Sequence, residues 1–450
     1  MNSDMYIVLH PDTANRIGIN LLKKIFLQFG MQRLEVLIRL DSSLDPTTIV
    51  LSEKIAHTLS IPTSVEYEVV LDNNTLLIGP FIGILRSYTG AKPVEYTERS
   101  PYFIEHYKDI KGAIISFAFE NIDKGKKSVK GYLYEPNKQK WIPGIYPYPA
   151  STFKAAVLNQ RSLLMLQKEF GKNFFNSHRF NKWAMYKCLK QDTGLSSHLP
   201  PTILYTKPQD IFSFLKKHPC IYIKPLYGFK GKGIIKVIKN KNLIYVWQKK
   251  DNKNIKVVFN GINKANQFFD NILKKGNYII QKMLDITFAN NQVVDFRLIL
   301  MKDQSGDWID LGHFGRIGSP KNIVSNRSSG GKVEKDIFVL KQIFKLSQQE
   351  ARAYRMQMSN IAVKAAKVLD KLGNSMGRYG VDLALDQNKN IWLIEMNHNY
   401  PNDWIASHVG DKDLIHKIRF HNLLYAKNLA GFPKHMQPIN VKILCGDCSG

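Results

Sequence analysis

The sequence predicts an α+β protein. Strand hairpins alternate with helices along the chain, no segment repeats, and turn residues punctuate the apolar runs at short intervals. The 450 residues correspond to about three domains at roughly 150 residues each. A hydrophobic fraction of 44% with 11% aromatics argues against disorder, and near-average Gly and Pro argue against a low-complexity chain. Lys and Arg number 64 against 37 Asp and Glu, a formal charge of +27. Such an excess points to an anionic partner: nucleotide, nucleic acid, anionic lipid or acidic polymer. Composition does not choose among them.

Residues 1–100 read as a small mixed α/β domain. Met5–Leu9 is a short apolar strand candidate. Ile17–Phe29 carries apolar residues at helical spacing and stops at Gly30, so it is expected to be a helix. Glu35–Leu40 alternates like a strand, and Leu76–Leu85 is apolar with Gly and Pro breaks. No catalytic grouping is visible in this region.

Residues 101–200 form a second unit. Ala113–Phe119 and Gly131–Tyr134 are strand candidates. Trp141–Pro149 contains three prolines and cannot be a helix. A helix is expected to open at Asn181, an N-cap type, and to end at Gly194.

Residues 201–430 carry most of the information, and 431–450 read as a C-terminal tail. Cys220–Lys224 is a short apolar run whose Lys precedes Pro225, which places Lys224 at a strand end. Glycines at 228, 231 and 233 follow, then a strand at Ile234–Ile238. Tyr278–Leu284, Val293–Met301 and Trp308–Ile317 read as strands. Ser347 and Glu350 form a capping box for a helix running to Leu372. A hairpin closes the unit: Val381–Leu385, a polar turn at 386–390, and Ile391–Asn397.

Three constellations could carry chemistry. The loop Gly228-Phe229-Lys230-Gly231-Lys232-Gly233 lies in a stretch, Lys224 to Lys256, with ten lysines and one acid, Asp251. Glycines let backbone N–H groups approach phosphate, and lysines neutralise it. The spacing matches neither a Walker A loop nor a dinucleotide fingerprint, so for this loop alone a solvated hairpin turn with basic strands is the favoured reading. In the C-terminal hairpin, Glu395 and Asn397 share a strand face, and a turn centred near Asn388 sets Asp382 across from Glu395. Three oxygen-bearing side chains converging among apolar neighbours suit Mg²⁺; the alternative is a polar face turned to water. Asp295-Phe296-Arg297 and Arg316 sit on neighbouring strand candidates. They form either an anion clamp or a structural Asp–Arg pairing.

Other signals are weaker. Cys445 and Cys448 form a lone CxxC near the end. No apolar stretch reaches the ~18–20 residues that span a bilayer. Asp4 and the lack of a basic-then-apolar start argue against a secretory signal, so a cytoplasmic chain is expected. No zinc finger or RNA-recognition motif is present, and no specific nucleic-acid partner is expected.

In order, these pieces resemble the ATP-grasp superfamily across residues 176–405. The series runs Phe180-Asn181-Lys182-Trp183, Ile223-Lys224-Pro225, the glycine loop, Ile279 to Leu284, Asp295-Phe296-Arg297, Arg316, Asn326 to Gly331, Gly380-Val381-Asp382 and Glu395-Met396-Asn397. The stretch from Gly131 to Trp183, including Arg161, is similar to the endospore coat-associated YheC/YheD-type branch. The resemblance implies two α+β subdomains clasping a nucleotide, preceded by a small N-terminal domain and a pre-grasp α/β unit. It implies that Lys182 and Lys224 contact ATP phosphates. Gly228, Lys230, Gly231, Lys232 and Gly233 would form a lid, and Gln281, Lys282 and Met283 would meet adenine. Asp382, Glu395 and Asn397 would hold Mg²⁺ or Mn²⁺. Arg297 and Arg316 would act on the transferred phosphoryl group. The implied activity is a C–N ligase joining a carboxylate to an amine through an acyl phosphate, linked to sporulation or the spore and cell envelope. The alternative is a coat-associated structural protein that binds nucleotide without turnover. Substrate choice is expected in Asn326–Lys332 and His398–Asn402.

Overall fold

Among the described residues four sheets organise the strands, and each has one face or its interior filled with aliphatic and aromatic side chains. The computed structural model describes residues 5–90, 104–228, 231–250, 253–288, 291–319, 331–373, 375–398, 403–434 and 439–443.

The N-terminal sheet is a closed barrel. Its strands follow the order Tyr6–Leu9, Gln32–Leu40, Lys24–Phe29, Thr75–Gly79, Tyr67–Asp72, Ile439–Ile443 and Thr48–Leu51. The helix expected at Ile17–Phe29 is absent. Lys24–Phe29 is a strand in which Ile25, Leu27 and Phe29 are buried in alternation. Both periods fit that apolar-rich segment, and the barrel interior selects the period of two. Gly30 does not end a helix; at φ +59° it forms the tight link to the Gln32–Leu40 strand. The expected tail at 431–450 also gives way. Ile439–Ile443 pairs in parallel with Thr48–Leu51 and antiparallel with Tyr67–Asp72, so the C-terminal segment closes the N-terminal barrel.

The second sheet orders Lys140–Pro147, Ser128–Glu135, Ala113–Asp123, Phe81–Ser87, Ser151–Lys154 and Phe174–Phe175. The Trp141–Pro149 segment is its edge strand, where Pro143 forfeits no central ladder bond. The helix Lys412–Leu429 packs on this sheet through Leu423, Tyr425 and Ala426. Thus a helix that follows the last site strand covers a sheet built from residues 81–175.

The third sheet orders Thr202–Leu204, Tyr278–Lys282, Cys220–Pro225, Ile235–Asn240, Leu243–Lys250 and Lys253–Asn260. One face, with Ile221, Ile223, Val237, Val246 and Ile280, packs on helices Pro208–Lys217 and Ile262–Ile272. The fourth orders Lys332–Lys335, Trp308–Ile317, Gln292–Lys302, Arg378–Leu385 and Ile391–Asn397. Phe296, Leu298, Val381 and Leu383 bury one face of it against helix Gln348–Asp370. That helix begins with the expected Ser347–Glu350 capping box. Each of these two sheets therefore has a second, polar face, and the candidate site lies there.

A chain ending at Lys434 is expected to open the barrel, because two ladders are lost. Its midpoint of thermal unfolding should fall by several degrees, roughly what a loss of a kcal/mol or more produces in a chain of this size. Hydrogen-exchange protection should drop selectively in residues 48–51 and 67–72. Unchanged protection there would show that the C-terminal strand is dispensable.

Candidate active site

Strand register assembles the fourth sheet's polar face. Arg297 lies opposite Asp382, and Asp382 opposite Glu395, so one row crosses three strands. Residues directly opposite share a face. Asp295 lies opposite Arg316 two positions along. Asn397 follows Glu395 at i+2 and points the same way. The expected facing of Asp382 and Glu395 is therefore present in the register.

The bonding within this row differs from a metal cage. Asp382 is 8% exposed. Its Oδ1 accepts from Arg297 Nε at 2.5 Å and faces Arg316 Nη2 at 3.2 Å. Its Oδ2 accepts from Arg297 Nη2 and from Asn397 Nδ2, each at 3.1 Å. A carboxylate offers roughly four acceptor positions. All are filled here, so Asp382 has no lone pair left for a cation. Burial alone would raise its pKa, but Arg297 and Arg316 together hold it below the usual carboxylate range. Asp295 grips Arg316 with two bonds, Nε to Oδ1 at 2.7 Å and Nη2 to Oδ2 at 2.6 Å. Asp295 and Asp382 thus fix both guanidinium forks in the floor of the site.

Glu395 is engaged differently. Its Oε1 pairs with Lys182 Nζ at 2.9 Å, and among the described residues its Oε2 takes no hydrogen bond. Lys182 is the first residue of helix Lys182–Lys190, which Asn181 caps by accepting from the Ala184 N–H. The same Nζ donates to the Gly228 carbonyl at 3.0 Å. Lys182 therefore ties the fourth sheet to the start of the glycine loop.

Lys224 is the penultimate residue of its strand, just before Pro225, and lines the cleft with Glu395 of the fourth sheet. Its Nζ donates to Gln281 Oε1 at 2.6 Å, and Gln281 Nε2 donates to Thr202 Oγ1 at 2.9 Å. Burial pushes the Lys224 pKa down to about 8, opposed by Glu395 and reinforced by Lys182, with Asp382 pulling weakly upward. A half-buried ammonium whose direct acceptor is a neutral amide is a point for an anion to fill.

Between the two sheets runs a cleft. Lys182, Lys224, Gln281 and Glu395 form its polar end, and Met185, Tyr186, Leu199, Pro200 and Ile279 form an apolar wall. Apolar walls with a few convergent polar groups suit a flat heterocycle carrying phosphates. The apolar wall was not legible in the motifs: Met185 and Tyr186 ride on the Asn181-capped helix, and Leu199 and Pro200 lie in a loop without a signature. Asp295 pairs with Arg316, the structural Asp–Arg alternative, whereas Thr202 was missed as the support of Gln281.

The remaining expected residues divide. Gln281 enters the cleft. Lys282 and Met283 do not offer their backbone N–H groups, which already donate to the Pro201 and Cys220 carbonyls. Gly228, Gly231, Lys232 and Gly233 form the link between Cys220–Pro225 and Ile235–Asn240, with φ of +72° at Gly231 and +73° at Gly233. Phe229 and Lys230 lie outside the described residues, as do residues 320–330, 399–402 and the Cys445–Cys448 pair. His398, next to Asn397, stacks on Phe180 at 4.2 Å, and burial pulls its pKa down to about 4.

A metal fits this donor set only in part. Among the described residues no three His, Cys, Asp or Glu side chains cluster as a cage. Glu395 retains a carboxylate oxygen, and Asn397 retains its Oδ1 while its amide N–H meets Asp382. One carboxylate plus substrate phosphates is a common Mg²⁺ set. The fit is therefore at Glu395 and Asn397, not at Asp382.

A family model for YheC/D-like ATP-grasp proteins matches residues 171–429, which span both sheets of the cleft. The chain belongs to the YheC/D-like ATP-grasp family. It is 25% identical over 377 residues to endospore coat-associated protein YheD of Bacillus subtilis (strain 168), covering 80% of this chain and 81% of that protein. It is 22% identical over 328 residues to endospore coat-associated protein YheC of the same organism, covering 70% and 86%. Among solved structures it is similar to the ATP-grasp ligase PsnB complexed with a phosphomimetic variant of its minimal precursor, Mg and ADP. That likeness has a TM-score of 0.42 and 14% identity, and covers 77% of this chain and 98% of PsnB. The ATP-grasp fold is thus that of residues 171–429, as the sequence motifs implied. Among the described residues, no helix is long and apolar enough to cross a membrane.

Two measurements probe this geometry. Asp295→Asn is expected to destabilise the fold by about 3 kcal/mol, since it removes one partner of a buried ion pair. Denaturant titration reads this, and a change within error would place the pair outside the folding core. Lys224 should also make nucleotide affinity pH-dependent. The protonated form attracts phosphate, so ATP binding should weaken as pH rises through about 8. Its lowered pKa means that unfolding takes up a proton above that pH, so the group's contribution to stability rises there. Lys224→Met should bind ATP more weakly and with a flatter pH profile.

Proposed function

We propose that this chain is a ligase that uses ATP, with Mg²⁺ or Mn²⁺, to join a carboxylate to an amine. The observation that carries the reading is the half-buried Lys224 converging with Lys182 and Glu395 in a cleft with an apolar wall, with two carboxylate-locked arginines on the same face of the fourth sheet as Glu395. Lys182 and Lys224 neutralise the nucleotide's phosphates, and the glycine loop covers them. Gln281 holds Lys224 in place. Arg297 and Arg316 keep their Nη1 donors for the γ-phosphoryl oxygens, where charge builds up during transfer.

In the first step a substrate carboxylate oxygen attacks the γ-phosphorus. The bond to the β–γ bridging oxygen breaks, and ADP leaves with the electron pair. In the second step an amine nitrogen attacks the acyl carbon, phosphate leaves with the C–O electron pair, and the amine proton passes to solvent. The acyl phosphate must be kept from water, which suits a flexible lid. A bound Mg²⁺ supplies further charge neutralisation at the phosphates, with Glu395 and Asn397 as its holders. The names of the Bacillus subtilis relatives support a place at the spore coat or envelope, and the substrate pair is a carboxylate and an amine of that compartment.

One observation favours a second reading, a coat-associated structural protein that binds nucleotide without turnover. Asp382 is saturated by Arg297, Arg316 and Asn397, which removes one carboxylate from the metal set.

ADP release under Mg–ATP, screened against pooled amino acids, peptides and cell-wall precursors, separates the two. The ligase reading expects release that needs both a carboxylate and an amine. Glu395→Gln should lower that turnover by about a hundredfold or more while weakening ATP binding far less. ATP binding without release under any acceptor would put the structural reading first.

A further inference from the structure

The third sheet's polar face continues well beyond the cleft. Register places Thr202, Gln281, Tyr222, Lys236, Trp247 and Lys256 opposite one another in a single row across six strands. Directly opposed residues share a face, so the side that carries Gln281 and Lys224 at the cleft carries Lys236, Trp247 and Lys256 at its outer end. The other side is excluded, because Val237, Ile244 and Val246 are buried against the two helices. Tyr245 lies at i−2 from Trp247, and the two rings stack with centroids 5.8 Å apart. Lys236 Nζ sits 5.6 Å from the Trp247 ring, and Lys256 Nζ lies 5.1 Å from Tyr245 and 5.6 Å from Trp247. Leu243 and Val258 extend this surface and are 36% and 46% exposed. Asp251 is the only acid from Cys220 to Asn260.

We propose that this outer face is a docking surface for an extended acidic peptide whose carboxylates lie along Lys236 and Lys256 and whose apolar side chains cover Tyr245 and Trp247. Three observations choose this occupant. The charge is uniformly basic in a chain of net +27, so the partner is anionic. Leu243 and Val258, exposed on the same face beyond Tyr245 and Trp247, offer contact to apolar side chains. The row from Lys256 through Trp247 and Lys236 to Gln281 crosses the strands in a straight line, so an extended peptide laid along it meets both lysines. The surface leads directly to Gln281 and Lys224, so a bound peptide would present a carboxylate at the phosphate end of the cleft. Its assignment as the carboxylate substrate rests on the ligase reading above; its binding does not.

The test uses the full chain and a fluorescein-labelled peptide of alternating Glu and Leu, read by anisotropy without nucleotide. Oligothymidylate of equal length is the competitor. Binding is expected to be saturable and to weaken as salt rises. Lys256→Glu together with Lys236→Glu should weaken it by about tenfold or more, as the loss of two favourable charges and the gain of two like charges requires. Trp247→Leu should weaken it at all salt concentrations, because it removes apolar contact rather than charge. The same variants should keep the wild-type thermal shift with Mg–ATP, which separates failure of the surface from failure of the nucleotide site. Absence of peptide binding, equal binding by the double lysine variant, or tighter binding of oligothymidylate than of peptide would each overturn the proposal.

Discussion

The site depends on one buried carboxylate. Asp382 sits on the strand next to the edge of the fourth sheet and holds Arg297 from one neighbouring strand, Arg316 from the next, and Asn397 from the edge strand on its other side. A carboxylate at 8% exposure would be costly without such partners. With them it staples four strands at their polar face and aims two guanidinium groups. Removing Asp382 would leave Arg297 without its carboxylate and Arg316 held by Asp295 alone. The charge pattern around it follows: Asp295 takes the second arginine, and Glu395 stays free to pair with Lys182.

Lys182 then becomes the link between halves. Its ammonium touches a carboxylate of the fourth sheet and a carbonyl at the start of the glycine loop, which belongs to the third. An anion entering the cleft would compete for this ammonium and for Lys224. Binding there is thus coupled to the contact that holds the loop against the opposite sheet. The N-terminal barrel and the second sheet are tied in from the far end of the chain, by Ile439–Ile443 and by helix Lys412–Leu429. The ATP-grasp region is therefore bracketed by elements that pack on the earlier domains.

Much of this was legible in the residues, and the failures have physical causes. The Arg378–Leu385 and Ile391–Asn397 hairpin could be read because turn chemistry at 386–390 fixes its register and alternation fixes its faces. Lys224 could be placed because proline restricts the residue before it. The segment Lys24–Phe29 misled because apolar residues at nearly every position satisfy both periods, and only the barrel decides. The C-terminal strand was invisible because it is stable only through partners nearly 400 residues away in sequence, a pairing local pattern cannot encode. The role of Asp382 was missed for a related reason. Spacing brings oxygen ligands together, but whether arginines from other strands reach them first is a tertiary fact.

The cleft between the third and fourth sheets is proposed to bind a nucleotide through Lys182 and Lys224, aided by a metal at Glu395. Calorimetric titration of ATP into the intact chain, with and without Mg²⁺, tests it most directly. The account predicts saturable binding of one nucleotide per chain, strengthened by Mg²⁺ in the wild type and in Asp382→Asn if that variant folds, but not in Glu395→Gln. A folded wild-type protein that gives no saturable heat at millimolar Mg–ATP would contradict it.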